Sequence, residues 1–165
     1  MLVIGIDPGT ARTGYGLVIQ DRDKLEVVDF GVITTSPGDP MPSRLRQLHN
    51  QLNEILLLHQ PDEAAVEQLF FQTNVKTAIS VGQARGVTML ALAQAGLDVG
   101  EYAPNDVKLA VVGYGGAEKH QIQEMVRMML GMDERPKPDD AADALAVAIC
   151  HIHTYQYEQR LRSGE

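Results

Sequence analysis

Three apolar runs crowd into the first 34 residues, at 2–7, 14–20 and 24–34, and the segments between them are the turn-like PGTARTG and DRDK. Connections this short join antiparallel neighbours, because a parallel partner needs a crossover of a dozen or more residues. The chain therefore opens as a three-stranded hairpin meander. Beyond residue 34 the pattern changes to helical and strand segments in alternation. Leu45, Leu48, Leu52, Ile55 and Leu56 repeat at helical spacing after the Pro/Gly loop SPGDPMP, with Ser43 as N-cap and Pro61 beyond the end, which predicts a helix of about four turns. EAAVEQLFF at 63–71 reads as a buried strand running into a loop, 74–95 as a long helix, and LDVGEYAP as a further short strand. PNDVKLAVVG then predicts one short helix. Ile122, Met125, Val126, Met129 and Leu130 mark another after GYGG, and an Ala-rich helix runs from about Asp139 into the 150s.

The order βββαβαβα(α)α predicts an α/β fold: a mixed five-stranded sheet, antiparallel meander plus parallel strands, with helices on both faces. A chain of 165 residues with 44% hydrophobic content has the size of one domain. Residues 1–158 are assigned to it, and 159–165 to a flexible tail. The single cysteine, Cys150, excludes an intramolecular disulfide. The absence of a secretory signal pattern and of any uncharged apolar stretch of about 18 residues leads us to expect a cytoplasmic protein with no membrane partner.

The first strand ends on Asp7, inside a Gly-rich bend. A carboxylate at the edge of a core costs several kcal/mol, order of magnitude, unless something pairs with it. Glu67 closes the buried run AAVE in the same way. Asp143 sits among the alanines of DDAADALA, one turn after Asp139 and Asp140, so a helix presents it beside Asp140 at i+3 or Asp139 at i+4, and spacing alone does not choose between them. Each acid has an ordinary explanation: an Asx-turn for Asp7, a buried Arg for Glu67, a helix cap for Asp139 or Asp140. Together they repel, and a fold that gathers them needs raised carboxylate pKa values or a cation. Oxygen-only donors select Mg²⁺ or Mn²⁺, and two such ions about 4 Å apart suit phosphodiester hydrolysis. Bound cations would also offset the formal charge of -8, which by itself disfavours nucleic acid. Cys150, His151 and His153 do not share a helix face and make a poor metal site.

Taken together, GIDPGTARTGYGLV, AVEQLFFQTNVKTAISVGQARGV, YAPNDVKLAVVGYGGAEKHQIQEMV and DDAADALAVAICHIH resemble the RuvC family of bacterial Holliday-junction resolvases, in order and over nearly the whole chain. The resemblance implies a ribonuclease H-like fold and a homodimer. It also implies a requirement for Mg²⁺ or Mn²⁺ and symmetric nicking of two opposed strands of a four-way DNA junction, coupled to the RuvA and RuvB branch-migration proteins. It makes Asp7, Glu67, Asp140 and Asp143 the metal-binding acids, preferring Asp140 to Asp139. It places Phe70 and Phe71 on a loop that meets the junction. Phe70 is expected on the DNA side, where a stacked base is worth about 1 to 3 kcal/mol, and the other Phe in the core. Lys108 and Lys119 match basic residues near the scissile phosphate, Lys119 also falling in the first turn of a helix, where backbone N–H groups favour an anion. Lys76 and Arg85 would extend a phosphate-binding stripe.

GYGG lacks the Lys-Ser/Thr of a phosphate loop and reads as a turn. Gly82 and Gly86 clear one helix face for close packing, either across a dimer or within the chain. Three rival readings remain at this level. An ATP-using enzyme of the actin and sugar-kinase type also places Asp before a Gly-Thr bend, but needs a second related domain. A silent DNA-structure-binding module would not need converging acids. An RNA-directed nuclease of the same fold would differ in substrate.

Overall fold

The computed structural model describes residues 1–68 and 75–164. Five strands, β1 (Leu2–Asp7), β2 (Arg12–Asp21), β3 (Lys24–Thr34), β4 (Glu63–Glu67) and β5 (Val99–Tyr102), form one sheet in the order β3-β2-β1-β4-β5. β1 pairs antiparallel with β2, as β2 does with β3, and the pairings β1 with β4 and β4 with β5 are parallel. The expected meander and crossovers are therefore both present. The helices are α1 (Met41–His59), α2 (Val75–Gln94), α3 (Pro104–Val112), α4 (Lys119–Met129) and α5 (Asp139–Ser163).

Alternation along the strands sorts the core into two layers. Ile4, Ile6, Leu17, Ala64 and Val66 pack with Leu48, Leu52, Leu56, Ala91 and Leu92 of α1 and α2. Val3, Val18 and Ala65 face the other way, onto Leu145, Ile149 and Ile152 of α5 and onto α3 and α4. Asp7 and Glu67 share the parity of Val3 and Ala65, which directs both toward the α5 side. The helix α5 is buried all round from Ala144 to Ile152, as expected for one that is apolar on every face. Leu145, Ile149 and Ile152 are fully enclosed, each worth about 1.5–3 kcal/mol.

Glycine brings α5 unusually close to the sheet. A Cβ on Gly5 would lie 2.6 Å from the Ala148 nitrogen, one on Gly16 would lie 2.9 Å from the Leu145 nitrogen, and one on Gly14 would run into the Asp140 carbonyl. The backbone of α5 thus rests directly on β1 and β2, and its alanines complete the fit.

Two local expectations are corrected. Ser43 does not cap α1: the helix starts at Met41 behind Pro40, with a proline in its first turn, because a φ fixed near the helical value starts the helix earlier. At the other end, residues 159–163 continue α5 to Ser163 rather than forming a loose tail, with Arg160 and Arg162 complementing the helix dipole and Gly164 closing it in the left-handed conformation. GYGG behaves as read, Gly113 terminating α3 at φ +83°. Cys150 is a buried free thiol, and His151 bonds Tyr102 Oη through Nδ1 (2.8 Å) and Glu63 Oε2 through Nε2 (2.5 Å). His153 Nδ1 lies 3.1 Å from the Ala110 carbonyl, so the three side chains of that segment serve different contacts.

Candidate active site

The register carries two of the acids to one place. Ile6 pairs with Val66 across the parallel β1–β4 ladder, so the next residues, Asp7 and Glu67, end neighbouring strands side by side on the α5 face. Asp7 also lies opposite Gly14 of β2, the residue whose missing side chain admits the Asp140 carbonyl. The first turn of α5 is thereby pressed against the strand ends, and Asp143 comes one turn later. The bend after Asp7 is tied by Thr13, whose Oγ1 donates to the Gly9 carbonyl at 2.7 Å. The carboxylate of Asp7 is left to face the other acids.

Electrostatics records their proximity. Burial first, then the charges of Glu67, Asp143 and Asp140, push Asp7 up to about 8, and its carboxyl hydrogen-bonds Glu67. Glu67 is raised by burial and by Asp143, partly offset by that hydrogen bond and by Lys119. Asp143 is raised by burial, with Lys119 working against the rise. Asp139 behaves differently. It is lowered, mainly by a hydrogen bond from Gln123 and by Lys119, and its side chain is 64% exposed against 31% for Asp140. Asp140 thus presses on Asp7, whereas Asp139 faces Gln123 and Lys119 of α4.

Two cations stand against the acids. Lys119, the first residue of α4, places Nζ 3.0 Å from Asp143 Oδ2 and 3.4 Å from Asp139 Oδ2. Burial weakens its charge, but the bonds and charges of Asp143 and Asp139 outweigh this and hold its pKa above the usual lysine value. Arg12 Nε donates to Asp140 Oδ2 at 2.8 Å. Sequence reasoning missed Arg12, although a signal was there: it shares the parity of Gly14 and Gly16, which puts it on the α5 face at the start of β2.

The donor chemistry fits a hard divalent cation: four carboxylates, oxygen only, whose mutual repulsion a cation would relieve. Among the described residues, no three acidic, histidine or cysteine side chains are gathered closely enough to hold an ion as they stand. Arg12 and Lys119 engage the oxygens of Asp140 and Asp143 instead.

The remaining expected residues are dispersed. Phe70 and Phe71 lie outside the described residues. Lys108 is half-buried on α3 and Lys76 is exposed in the first turn of α2. Arg85, further along α2, pairs with Glu101 of β5, so its guanidinium is engaged within the fold. Among the described residues, no helix is long and apolar enough to cross a membrane.

Comparison with known proteins gives the same answer as the geometry. Residues 3–151 match the family model described as crossover junction endodeoxyribonuclease RuvC. A protein of that name from Chloroflexus aggregans is 59% identical over 160 residues, 97% of this chain and 98% of the relative. One from Pelotomaculum thermopropionicum is 53% identical over 162 residues, 98% of this chain and 99% of the relative. The structure of Thermus thermophilus RuvC in complex with Holliday junction substrate superposes with a TM-score of 0.91 at 37% identity, covering 96% of each chain. RuvC proteins are metal-dependent nucleases. The antiparallel meander, the parallel strands and the helix laid across their acidic ends are those of a ribonuclease H-like fold, and the chain belongs to the RuvC family of crossover junction endodeoxyribonucleases.

Proposed function

We propose that this chain resolves Holliday junctions by hydrolysing one phosphodiester in each of two opposed strands. The observation that carries the reading is the convergence of Asp7, Glu67, Asp140 and Asp143 at one end of the sheet, with Lys119 beside them. Together with membership of the family, it favours a cutting enzyme over a silent binding module.

In the reaction, an oxygen of water bonds to phosphorus, the bond from phosphorus to the 3'-oxygen breaks, and that oxygen leaves with a proton. The products are a 3'-hydroxyl and a 5'-phosphate. Two Mg²⁺ or Mn²⁺ ions per site would acidify water and neutralise phosphate charge. Asp7 and Glu67 would hold them from the strand ends, and Asp140 and Asp143 from the helix. Lys119 supplies a fixed positive charge where the phosphate gains negative charge. Lys108 and Lys76 would track the backbone, and Phe70 and Phe71 would meet the bases.

Symmetric cuts need two equivalent sites, which a two-fold homodimer supplies. The surface of α2 supports one. A Cβ on Gly82 or Gly86 would meet nothing within 4 Å, and Val75, Ile79 and Leu90 are exposed at matching helical intervals. Among the described residues no other part of the chain packs against these glycines. Action on chromosomal DNA in the cytoplasm, with RuvA and RuvB supplying the junction, completes the proposal.

The test is a synthetic four-way junction incubated with Mg²⁺ or with EDTA, with cuts mapped on all four strands. Paired, cation-dependent nicks at equivalent positions in opposed strands support the reading. Binding without cuts, or cuts in a single strand, would refute it.

A further inference from the structure

Arg12 has no part in the chemistry assigned so far, yet its position is specific. It begins β2, it is separated from Asp140 by 128 residues of chain, and its Nε–H meets Asp140 Oδ2 at 2.8 Å. Its side chain is 50% exposed, so an interaction made only for stability would be worth little. The bond also occupies an oxygen that the acidic cluster needs if its donors are to converge on a cation.

We propose that Arg12 is a phosphate-binding side chain held in reserve by Asp140: when a divalent cation takes the Asp140 carboxylate, the guanidinium is released at the mouth of the site and engages the DNA backbone. The inference rests on the nuclease reading above. Three features of the molecule carry it. Arg12 and a cation compete for the same carboxylate, so their occupancies oppose each other. A guanidinium freed from a carboxylate is suited to a phosphate oxygen, which offers the same forked acceptor geometry. Arg12 lies on the α5 face of the sheet, next to the bend that succeeds Asp7, so release leaves it beside the acids rather than on a remote surface. In the free state it also neutralises part of the acidic mouth.

The test uses the full chain and Arg12→Gln, with Arg12→Lys as a second variant that keeps the charge but loses the Nε–H donor. Mn²⁺ binding to the free protein, read by electron paramagnetic resonance, should tighten about threefold to tenfold in Arg12→Gln, since a competing positive charge is gone. Loss of a merely structural contact would weaken it instead. Junction binding is then measured across salt concentrations, once in EDTA and once in Ca²⁺, whose looser coordination makes it a stand-in for binding. In Ca²⁺, Arg12→Gln should lose about tenfold in affinity and about one unit of the slope of log K against log salt. In EDTA its affinity should change less than about twofold, because the wild-type Arg12 is then engaged by Asp140. Arg12→Lys should keep the slope. Weaker Mn²⁺ binding in Arg12→Gln, or an unchanged slope in Ca²⁺, overturns the assignment while leaving the nuclease reading intact. Failure of the wild-type protein to bind the junction in Ca²⁺ overturns both.

Discussion

Asp7→Asn should stabilise the metal-free protein at alkaline pH and do nothing for it in acid. In the folded chain Asp7 is pushed from 3.8 to about 8, first by burial and then by Glu67, Asp143 and Asp140. Between these values the folded state holds a proton that the unfolded state has released, so stability falls as pH rises through the window and is lowest above about 8. Each pH unit in that interval costs about 1.4 kcal/mol, and the full interval would reach about 6 kcal/mol if Asp7 titrated alone. Glu67 and Asp143 share the same repulsion, which leaves about 2–3 kcal/mol for removal of one charge. Asparagine has the same shape and can donate to Glu67 as the protonated Asp7 does. In EDTA near pH 8, Asp7→Asn should therefore melt about 5–10 °C above the wild type, while below about pH 4 the two should coincide within about 1 °C. Divalent cation should reverse the order, because only the intact site gains stability by mass action. Cleavage should be abolished with junction binding retained. Thermal unfolding at the two pH values, with EDTA and with Mg²⁺, checks all of this. An equal difference at both pH values, or a less stable variant near pH 8 in EDTA, would refute the claim that the acids repel one another in the fold.

Gly14→Ala drives a Cβ into the Asp140 carbonyl and should cost about 2–4 kcal/mol in urea unfolding, along with most of the cleavage rate, whereas Gly38→Ala, which meets only Ser36 Oγ at 3.6 Å, should be silent. Lys119→Ala should slow cleavage about a hundredfold while junction affinity changes only a few-fold, as single-turnover rates and binding isotherms would show. Ile79→Glu, at a position 59% exposed, should leave the fold intact and convert a dimer to a monomer in sedimentation equilibrium; a persistent dimer would move the interface off α2.

Much of the architecture was legible because it rests on local rules. The hairpin meander comes from connections too short for anything else, and the two core layers come from strand alternation. Asp7 and Glu67 stood out because a charged residue ends an apolar strand in each. Less legible were features set by contacts far apart in the chain. Ser43 looked like a cap because propensity ranks serine highly, but a proline one residue earlier had already started α1. Residues 159–163 looked loose because they are polar, yet they extend α5 without needing a core of their own. Arg12 looked like a turn residue, and its bond to Asp140 spans nearly the whole chain.

The sequence by itself determined the order of strands and helices, the burial of α5 and the presence of acids at places where a core should have none, because periodicity and the cost of desolvating a charge act within a few residues. Only the tertiary structure decided that Asp140 rather than Asp139 faces Asp7, and that Arg12 pairs with Asp140 and Lys119 with Asp143. Helical spacing allows either aspartate equally. The choice is made by the seat of α5 on Gly5, Gly14 and Gly16, where the absence of three side chains lets one backbone lie against another and fixes the rotation of the helix over the strand ends.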